Sequence, residues 1–515
     1  MLHAPRDLEI SVLCLDSRAA GRGALFAALR GRQTDGHRFL ADAVARGAAC
    51  VLTEEPPQMQ IPYILVPDSR DALARMAAVW YGEPAKKMTM VGVTGTNGKT
   101  TTTYLLKQIL EKTISARVGL IGTNQNMIGD EILPAQRTTP ESLTLQELLA
   151  HMARAGCTHV VMEVSSHALM QSRTAGIEFA VGVFTNLTQD HLDYHGTMEA
   201  YCDAKARLFS QCAVAVANGD DPWTPRILQN AACRSVCFGE GLTNDLVGWH
   251  VRYESRCVRF TACDDCGHVE ACLPIPGRFS LYNALGALLA ARELGISLED
   301  AAKALADCRG VRGRCEVLET DTDYTVLIDY AHTPDGLKNI LSTACGFAEN
   351  RVIVVFGCGG ERDKTKRAGM GRIAAVLADA VVVTSDNPRG EPPYAILHDI
   401  LEGMRETQTP FAVLENRREA VAYALDHAER GDVVVLAGKG HEPYQIIGKT
   451  AYPLDEREIV RAHLNQQQRK AAARAAGGND YEDSILVRDQ LRDRAGDGQT
   501  PDSGAAQAQS GTEHP

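Results

Sequence analysis

The chain has 515 residues, 45% hydrophobic and 5% aromatic, enough for about three domains at ~150 residues each. Its net charge of −12 excludes a general nucleic-acid binder, so any anionic substrate must be held by local basic groups against the overall field. Fifteen scattered cysteines predict reduced thiols, and the lack of a membrane-length apolar run or a basic-then-apolar N-terminus predicts a cytoplasmic protein with no membrane partner.

Residues 1–87 read as a small N-terminal α/β domain, with "LEISVLCLDSR" and "ACVLTEE" as strands, "HRFLADAVARGA" as a helix and "YGEPAKK" as a linker. Residues 88–310 read as a central domain on a parallel sheet, where "MTMVGV", "HVVMEV", "AVGVFTNL" and "CAVAVAN" are apolar runs suited to strands buried on both faces. Late in that domain "CVRFTACDDCGHVEACLPI" reads as two alternating strands around a "DDCGH" turn. The alternative makes Cys263, Cys266, His268 and Cys272 zinc ligands, at a spacing that matches no common structural zinc pattern. Residues 311–464 read as a C-terminal Rossmann-like α/β domain with strands "YTVLIDY", "RVIVVFG", "AVVVTSD" and "DVVVLAG". Residues 465–515 are polar and rich in Gly, Ala and Gln and read as a disordered tail, within which "DSILVRDQLRD" suits a short helix. The fold class is α/β in three domains plus that tail, and two successive α/β domains with loops at their strand ends predict a cleft between them.

The stretch "VGVTGTNGKTTT" nearly matches the phosphate-loop pattern G-x-x-x-x-G-K-[ST], but Val93 stands where the first glycine belongs. An apolar strand precedes it and an amphipathic helix follows, so Gly95, Thr96, Asn97 and Gly98 lie on a strand-to-helix turn. Backbone N–H groups and the helix dipole can hold an anion there. Lys99 suits the β- and γ-phosphates of a nucleotide, and the Thr100 hydroxyl, followed by Thr101, suits a magnesium shell. This makes the central unit a P-loop, ATPase-type domain.

Three anomalies sit near the same strand ends. Glu163 in "HVVMEVSSHAL" places a carboxylate in the last turn of a buried strand, which is costly unless it is paired or metal-bound. "FTNLTQDHLDYHG" follows its strand with Asp190, His191, Asp193 and His195. In "YCDAKARLF", Lys205 lies at helical spacing from Tyr201 and Phe209, so an ammonium falls on an apolar face. Thr100 and Glu163 are hard oxygen ligands for magnesium, with His191 as a third. A cationic lysine beside such metals has the wrong charge, and a chemically altered, anionic lysine has the right one.

"GTNGKTTT", "MEVSSHAL", "NLTQDHLDYHG" and "YCDAKARLF" together resemble the Mur ligase family, in the family's order, and the likeness spans nearly all of residues 10–464. The resemblance implies an ATP-dependent, ADP-forming peptide-bond synthesis in cytoplasmic peptidoglycan assembly. ATP phosphorylates the D-glutamate carboxylate of UDP-N-acetylmuramoyl-L-alanyl-D-glutamate, and an amine attacks the acyl phosphate. It further implies two magnesium ions, the second held by carbamylated Lys205 (N6-carboxylysine) with His191, and Glu163 in the metal shell; Lys99 joins these as a catalytic group. Asn283 in "SLYNALGALLAA", Arg314 in "VRGRCEV" and Asp329 in "LIDYAHTPDGL" match nucleotide contacts. The uridine nucleotide maps to the N-terminal domain through Leu15, Ser17, Arg32, Gln33 and Thr34. The muramoyl-dipeptide maps to Thr138, Thr139, Ser165, Gln171 and Arg173, although Thr139 also reads as the cap of a helix opened by Pro140. A monomer is expected.

The acceptor amino acid is implied by "TSDNPRGEP". meso-Diaminopimelate carries one more carboxylate than lysine, and a guanidinium can bind both oxygens of that group. Asp386, Asn387, Pro388 and Arg389 match the motif of diaminopimelate-adding members, and lysine-adding members lack the arginine. Arg367 resembles a second carboxylate contact, and Gly438 and Glu442 in "AGKGHE" resemble the site for the distal ammonium. Other acceptors within the family (lysine, D-alanyl-D-alanine, glutamate on folate) share the ATP apparatus and differ in these loops. Outside the family, a signalling switch would need a guanine-reading N-K-x-D, which the chain lacks, and "FGCGGERD" lacks the G-x-G-x-x-G spacing of a dinucleotide enzyme.

Overall fold

The structure, a computed structural model, describes residues 2–31, 34–254 and 256–475. It contains three large sheets in chain order and one small hairpin sheet. The first, five-stranded, runs Leu2–His3, Tyr63–Leu65, Ala48–Thr53, Ala24–Ala27, Val12–Cys14, and is parallel except at the Leu2–His3 edge. The expected N-terminal helix shortens to Leu40–Ala45, preceded by a 3-10 turn that Asp35 caps through the His37 N–H at 3.0 Å. Of "LEISVLCLDSR", only Val12–Cys14 is strand; Asp16 then caps a second 3-10 turn, Ser17–Ala19.

The central sheet has eleven strands, and its middle is parallel: Cys212–Asn218, Phe179–Phe184, Thr89–Thr94, His159–Glu163 and Val118–Ile121 lie side by side. These segments are apolar on both faces because helices cover both, and each fully buried valine there contributes about 1.5–3 kcal/mol. The helix Arg278–Glu293 is apolar almost all round and is correspondingly buried along most of its length. Val93 pairs with Glu163 on one side and Val183 on the other and is fully buried. The position where a standard phosphate loop has glycine is here a strand residue, and the turn starts later.

The expected hairpin is present: Val258–Asp264 pairs antiparallel with Gly267–Leu273. Its register corrects the zinc alternative. Cys263 faces His268, whereas Cys272 lies opposite Arg259, about 13 Å further along at ~3.3 Å per residue. The four proposed ligands cannot meet. Among the described residues, the potential metal-ligand group is Asp264, Asp265 and Cys266 at the turn, and Asp264 is paired with Arg292 at 2.9 Å.

The third sheet runs Glu316–Leu318, Thr325–Asp329, Val433–Ala437, Val352–Phe356, Ala380–Val383, Phe411–Val413, all parallel except its first strand. Four of these strands, Thr325–Asp329, Val352–Phe356, Ala380–Val383 and Val433–Ala437, fall within the four stretches expected to be strands in this domain. Beyond them, the helix Glu456–Ala475 carries helical structure past Leu464, where the sequence was expected to lose order. The remaining tail, with "DSILVRDQLRD", lies outside the described residues. All fifteen cysteines are free thiols, and among the described residues no helix is long and apolar enough to cross a membrane.

Candidate active site

Parallel strands deliver their carboxyl ends to one edge, and the predicted phosphate loop forms there, between Thr94 and the helix Lys99–Ile114. Gly95 and Gly98 take φ of 148° and 86°, and a Cβ on either would collide with Thr185 Oγ1 or Asn283 Oδ1. The loop is held from the next strand: Asn97 N–H donates to Asn186 Oδ1 at 2.9 Å, and the Asn97 carbonyl accepts from Thr185 Oγ1 at 2.6 Å and Asn186 Nδ2 at 3.1 Å. Asn283 sits beneath this loop, buried, accepting from Thr102 Oγ1 at 3.4 Å.

Glu163 is fully buried. Its Oε1 accepts from Thr100 Oγ1 at 3.0 Å and from the Thr123 N–H at 2.8 Å, and its Oε2 from Thr123 Oγ1 at 2.9 Å. The Thr123 hydroxyl lies 3.0 Å from that of Thr138. Hydroxyl and carboxylate oxygens this close are the hard donor set that magnesium takes, so the residues fit that ion.

Two lysines converge on one carbonyl. Lys99 Nζ donates to Gly95 O and Thr96 O, each at 2.8 Å, and Lys205 Nζ donates to the same Gly95 O at 2.8 Å. Lys205 is 1% exposed and its ammonium stands 4.4 Å above the Tyr201 ring. Burial, reinforced by Lys99, pushes its amine well below the usual lysine range, and burial pushes Lys99 down as well. Beside them His191 adopts a left-handed φ of 55°, lies 3.4 Å from Asp190, and meets His167 edge-on at 4.9 Å. His195 stacks on Tyr201 at 4.9 Å, with Nε2 2.9 Å from Ser166 Oγ.

The third domain reaches this floor at two points. Arg314 lies with its guanidinium 4.7 Å from the centre of the Tyr330 ring and donates through Nη2 to Thr100 Oγ1 at 3.3 Å. Asp335, in the first turn of Pro334–Cys345, accepts from Asn97 Nδ2 at 2.8 Å. Asp329 accepts from the Cys315 N–H at 2.7 Å, and burial raises its carboxyl to about 6.

The acceptor motif forms a second cluster. Asp386 and Asn387 are buried, and Arg389 follows with a left-handed φ of 52°. The Arg389 guanidinium donates to Gly360 O at 2.8 Å, and no carboxylate pairs with it among the described residues. Asp386 Oδ1 accepts from the Asn387 N–H at 2.7 Å, while Oδ2 is buried with no hydrogen-bond partner among the described residues. Gly438, at φ 111°, leaves room beside it: a Cβ there would stand 2.9 Å from Asp386 Oδ2. Glu442 accepts through Oε2 from Asn387 Nδ2 at 2.9 Å.

Several expected substrate contacts have other partners. Arg367 is 1% exposed and pairs with Glu391 at 3.0 Å and Asp399 at 2.8 Å, so here its guanidinium braces the loops through internal carboxylates. Thr139 does not cap a helix, since the next one starts at Ser142; its hydroxyl donates to Glu163 O at 2.9 Å. Arg173 is buried against Glu141 at 2.8 Å and Gln171 Oε1 at 2.7 Å. Ser165 caps Ser166–Met170 by accepting from the Ala168 N–H at 3.2 Å. In the N-terminal domain Ser17 donates to Asp42 at 2.7 Å, Leu15 is half-buried and Thr34 is exposed; Arg32 and Gln33 lie outside the described residues. Thr123, Asn186, Asp335 and Lys439 were not singled out from sequence. Only Asn186 carried a signal, as a polar residue two positions after the buried strand Phe179–Phe184.

A phosphate loop at parallel strand ends, an oxygen pair beside it and basic residues reaching in from the next domain define a nucleotide-dependent transfer enzyme. Family models agree on which one. Residues 9–81 match the "Mur ligase family, catalytic domain", residues 93–291 the "Mur ligase middle domain", and residues 313–440 the "Mur ligase, glutamate ligase domain". The UDP-N-acetylmuramoyl-L-alanyl-D-glutamate–2,6-diaminopimelate ligase of Caldanaerobacter subterraneus subsp. tengcongensis is 44% identical over 468 residues, covering 90% of this chain and 96% of that one. Its Listeria monocytogenes counterpart is 42% identical over 474 residues, covering 90% and 96%. A solved structure of a ligase of the same name aligns at TM-score 0.66 and 33% identity, over 89% of this chain and 95% of that one. A Thermotoga maritima MurF ligase solved with ADP shares the fold at TM-score 0.61 and 21% identity, over 90% and 100%. The chain belongs to the Mur ligase family.

Proposed function

We propose that this chain is the ATP-dependent, ADP-forming ligase that joins meso-diaminopimelate to the D-glutamate of UDP-N-acetylmuramoyl-L-alanyl-D-glutamate. The observation that carries the acceptor assignment is the unsatisfied pair in the third domain: among the described residues, Arg389 has no carboxylate and the buried Asp386 Oδ2 has no hydrogen-bond partner. A distal amino-acid group supplies the carboxylate and the ammonium that complete them. Lysine lacks that carboxylate and leaves Arg389 without its partner.

In this reading the helix N-terminus that follows Gly98 receives the phosphates, and Lys99 exchanges the Gly95 and Thr96 carbonyls for phosphate oxygens. The glutamate carboxylate takes the γ-phosphoryl group, ADP departs, the acceptor amine attacks the acyl carbon, and phosphate leaves as the amide forms. Arg314 stabilises negative charge from the third-domain side. Lys205 is set up for carbamylation: its buried amine is driven towards the neutral form, which adds to CO2 and loses a proton to give an anionic carbamate. That change turns a repulsive lysine pair into an attractive one. Thr100, Glu163, His191 and carbamylated Lys205 are the residues that would hold two magnesium ions, whose charge offsets that of the phosphates during transfer.

The test is phosphate release from ATP by the full chain with the UDP-muramoyl-dipeptide and a panel of amino acids. Release with meso-diaminopimelate and very little with L-lysine supports the assignment. Comparable kcat/KM for the two refutes it.

A further inference from the structure

Lys439 lies between the two glycines of the acceptor loop, where a lysine is ordinarily exposed, yet it is 0% exposed. Burying an ammonium is unfavourable unless it is paired and hydrogen-bonded. Here Nζ donates to Glu442 Oε2 at 2.7 Å and to Asn387 Oδ1 at 2.8 Å. Asn387 closes the triangle by donating through Nδ2 to the same Glu442 Oε2 at 2.9 Å, and its Oδ1 also accepts from the Ile446 N–H at 2.9 Å. A flipped Asn387 amide would put its NH2 against two donors, so Lys439 and Ile446 fix its orientation.

The triangle decides what the pocket has left to offer. Glu442 Oε2 is engaged twice, whereas Oε1 has only the Tyr330 hydroxyl, at 3.4 Å. Asp386 Oδ2 has no hydrogen-bond partner among the described residues. Two carboxylate oxygens are therefore available for an ammonium, and Arg389 for a carboxylate. With Lys439 the cluster balances two acids and two bases, which suits a zwitterionic amino-acid terminus; without it Asp386 and Glu442 would leave an excess of negative charge.

We propose that Lys439 is a positioning residue for the acceptor. It holds Asn387 and one oxygen of Glu442 so that Glu442 Oε1 and Asp386 Oδ2 face the ammonium of the incoming amino acid. The proposal rests on the acceptor reading above and adds a residue that the reading did not use.

The experiment compares the wild-type full chain with Lys439→Met and Lys439→Gln, titrating each of the three substrates separately. In Lys439→Met, KM for meso-diaminopimelate is expected to rise about tenfold or more, the loss due to a charge-assisted hydrogen bond. KM for ATP and for the UDP-muramoyl-dipeptide should stay within about twofold, because uniform damage would raise all three. Lys439→Gln keeps an N–H donor without the charge and is expected to fall between wild type and Lys439→Met. An unchanged acceptor KM in a folded variant overturns the proposal, as does a parallel rise of all three KM values with a lowered melting temperature. If Lys439→Met does not fold, Lys439→Gln decides on the same criteria. A wild type that uses another amino acid defeats the diaminopimelate reading alone, and the same titration with that amino acid still tests Lys439.

Discussion

The phosphate-loop floor and the acceptor pocket satisfy their charges in opposite ways. On the floor, Lys99 and Lys205 both donate to the carbonyl of Gly95, and Glu163 is occupied by Thr100 and Thr123. These groups already have internal partners, which binding must displace. In the acceptor cluster, among the described residues, Arg389 has no carboxylate and Asp386 Oδ2 has no partner, while Lys439 hydrogen-bonds Asn387 beside them. On the function proposed above, the floor exchanges partners during the reaction and the pocket receives them from a ligand. A region that must rearrange tolerates self-satisfied groups, and one that must select an amino acid leaves specific groups unsatisfied.

The largest expected effect breaks the floor. On the proposed reading Lys205→Ala removes the group whose carbamylation reverses the lysine repulsion, and turnover should fall at least about a hundredfold, comparable with the loss of a key electrostatic group elsewhere. Acetate added to the variant is expected to restore part of the phosphate release. Full activity in Lys205→Ala without additive would falsify an anionic role.

Arg389→Ala attacks the other side of the comparison. It should cost about 2–5 kcal/mol in kcat/KM for meso-diaminopimelate, as for a truncated partner of a buried ion pair, and much less for L-lysine. Equal losses for both amino acids would show that Arg389 shapes its loop and does not recognise the extra carboxylate.

Val93→Gly restores the sequence of a standard phosphate loop. Since Val93 is a fully buried strand residue, the change should cost about 2–4 kcal/mol of stability through lost burial and added backbone freedom. KM for ATP should not improve, and denaturant melts with ATP titrations report both quantities. Tighter ATP binding would mean that the turn begins earlier than Gly95.

The smallest effect is expected at the joint between the two regions. Asp335→Ala removes the acceptor for Asn97 Nδ2, worth about 1–2 kcal/mol, and should raise KM for ATP several-fold with little change for the acceptor. A change in acceptor KM alone would place Asp335 with the pocket.

The strands and the phosphate loop were legible because parallel strands buried on both faces leave near-continuous apolar runs, and because Gly95 and Gly98 are needed for left-handed backbone. The Lys205 anomaly was legible too: helical spacing from Tyr201 and Phe209 puts a charged residue on an apolar face, and it is buried there. What could not be read was who pairs with whom. Arg367 resembles a ligand contact in sequence, but Glu391 and Asp399 reach it only through the fold. Thr139 carries the local marks of a helix cap, yet a strand 24 residues away claims its hydroxyl. Thr123 looks like any other turn threonine until the sheet sets it against Glu163. Lys439 hides because a lysine among glycines is ordinarily solvated.

The central claim is that floor and pocket serve one reaction, in which the glutamate carboxylate is phosphorylated before the acceptor amine attacks. It is tested most directly by ligation with a UDP-muramoyl-dipeptide whose D-glutamate side-chain carboxylate carries 18O. With meso-diaminopimelate as acceptor, the released phosphate should contain one 18O transferred from that carboxylate for each amide formed. Unlabelled phosphate alongside amide formation would contradict the account.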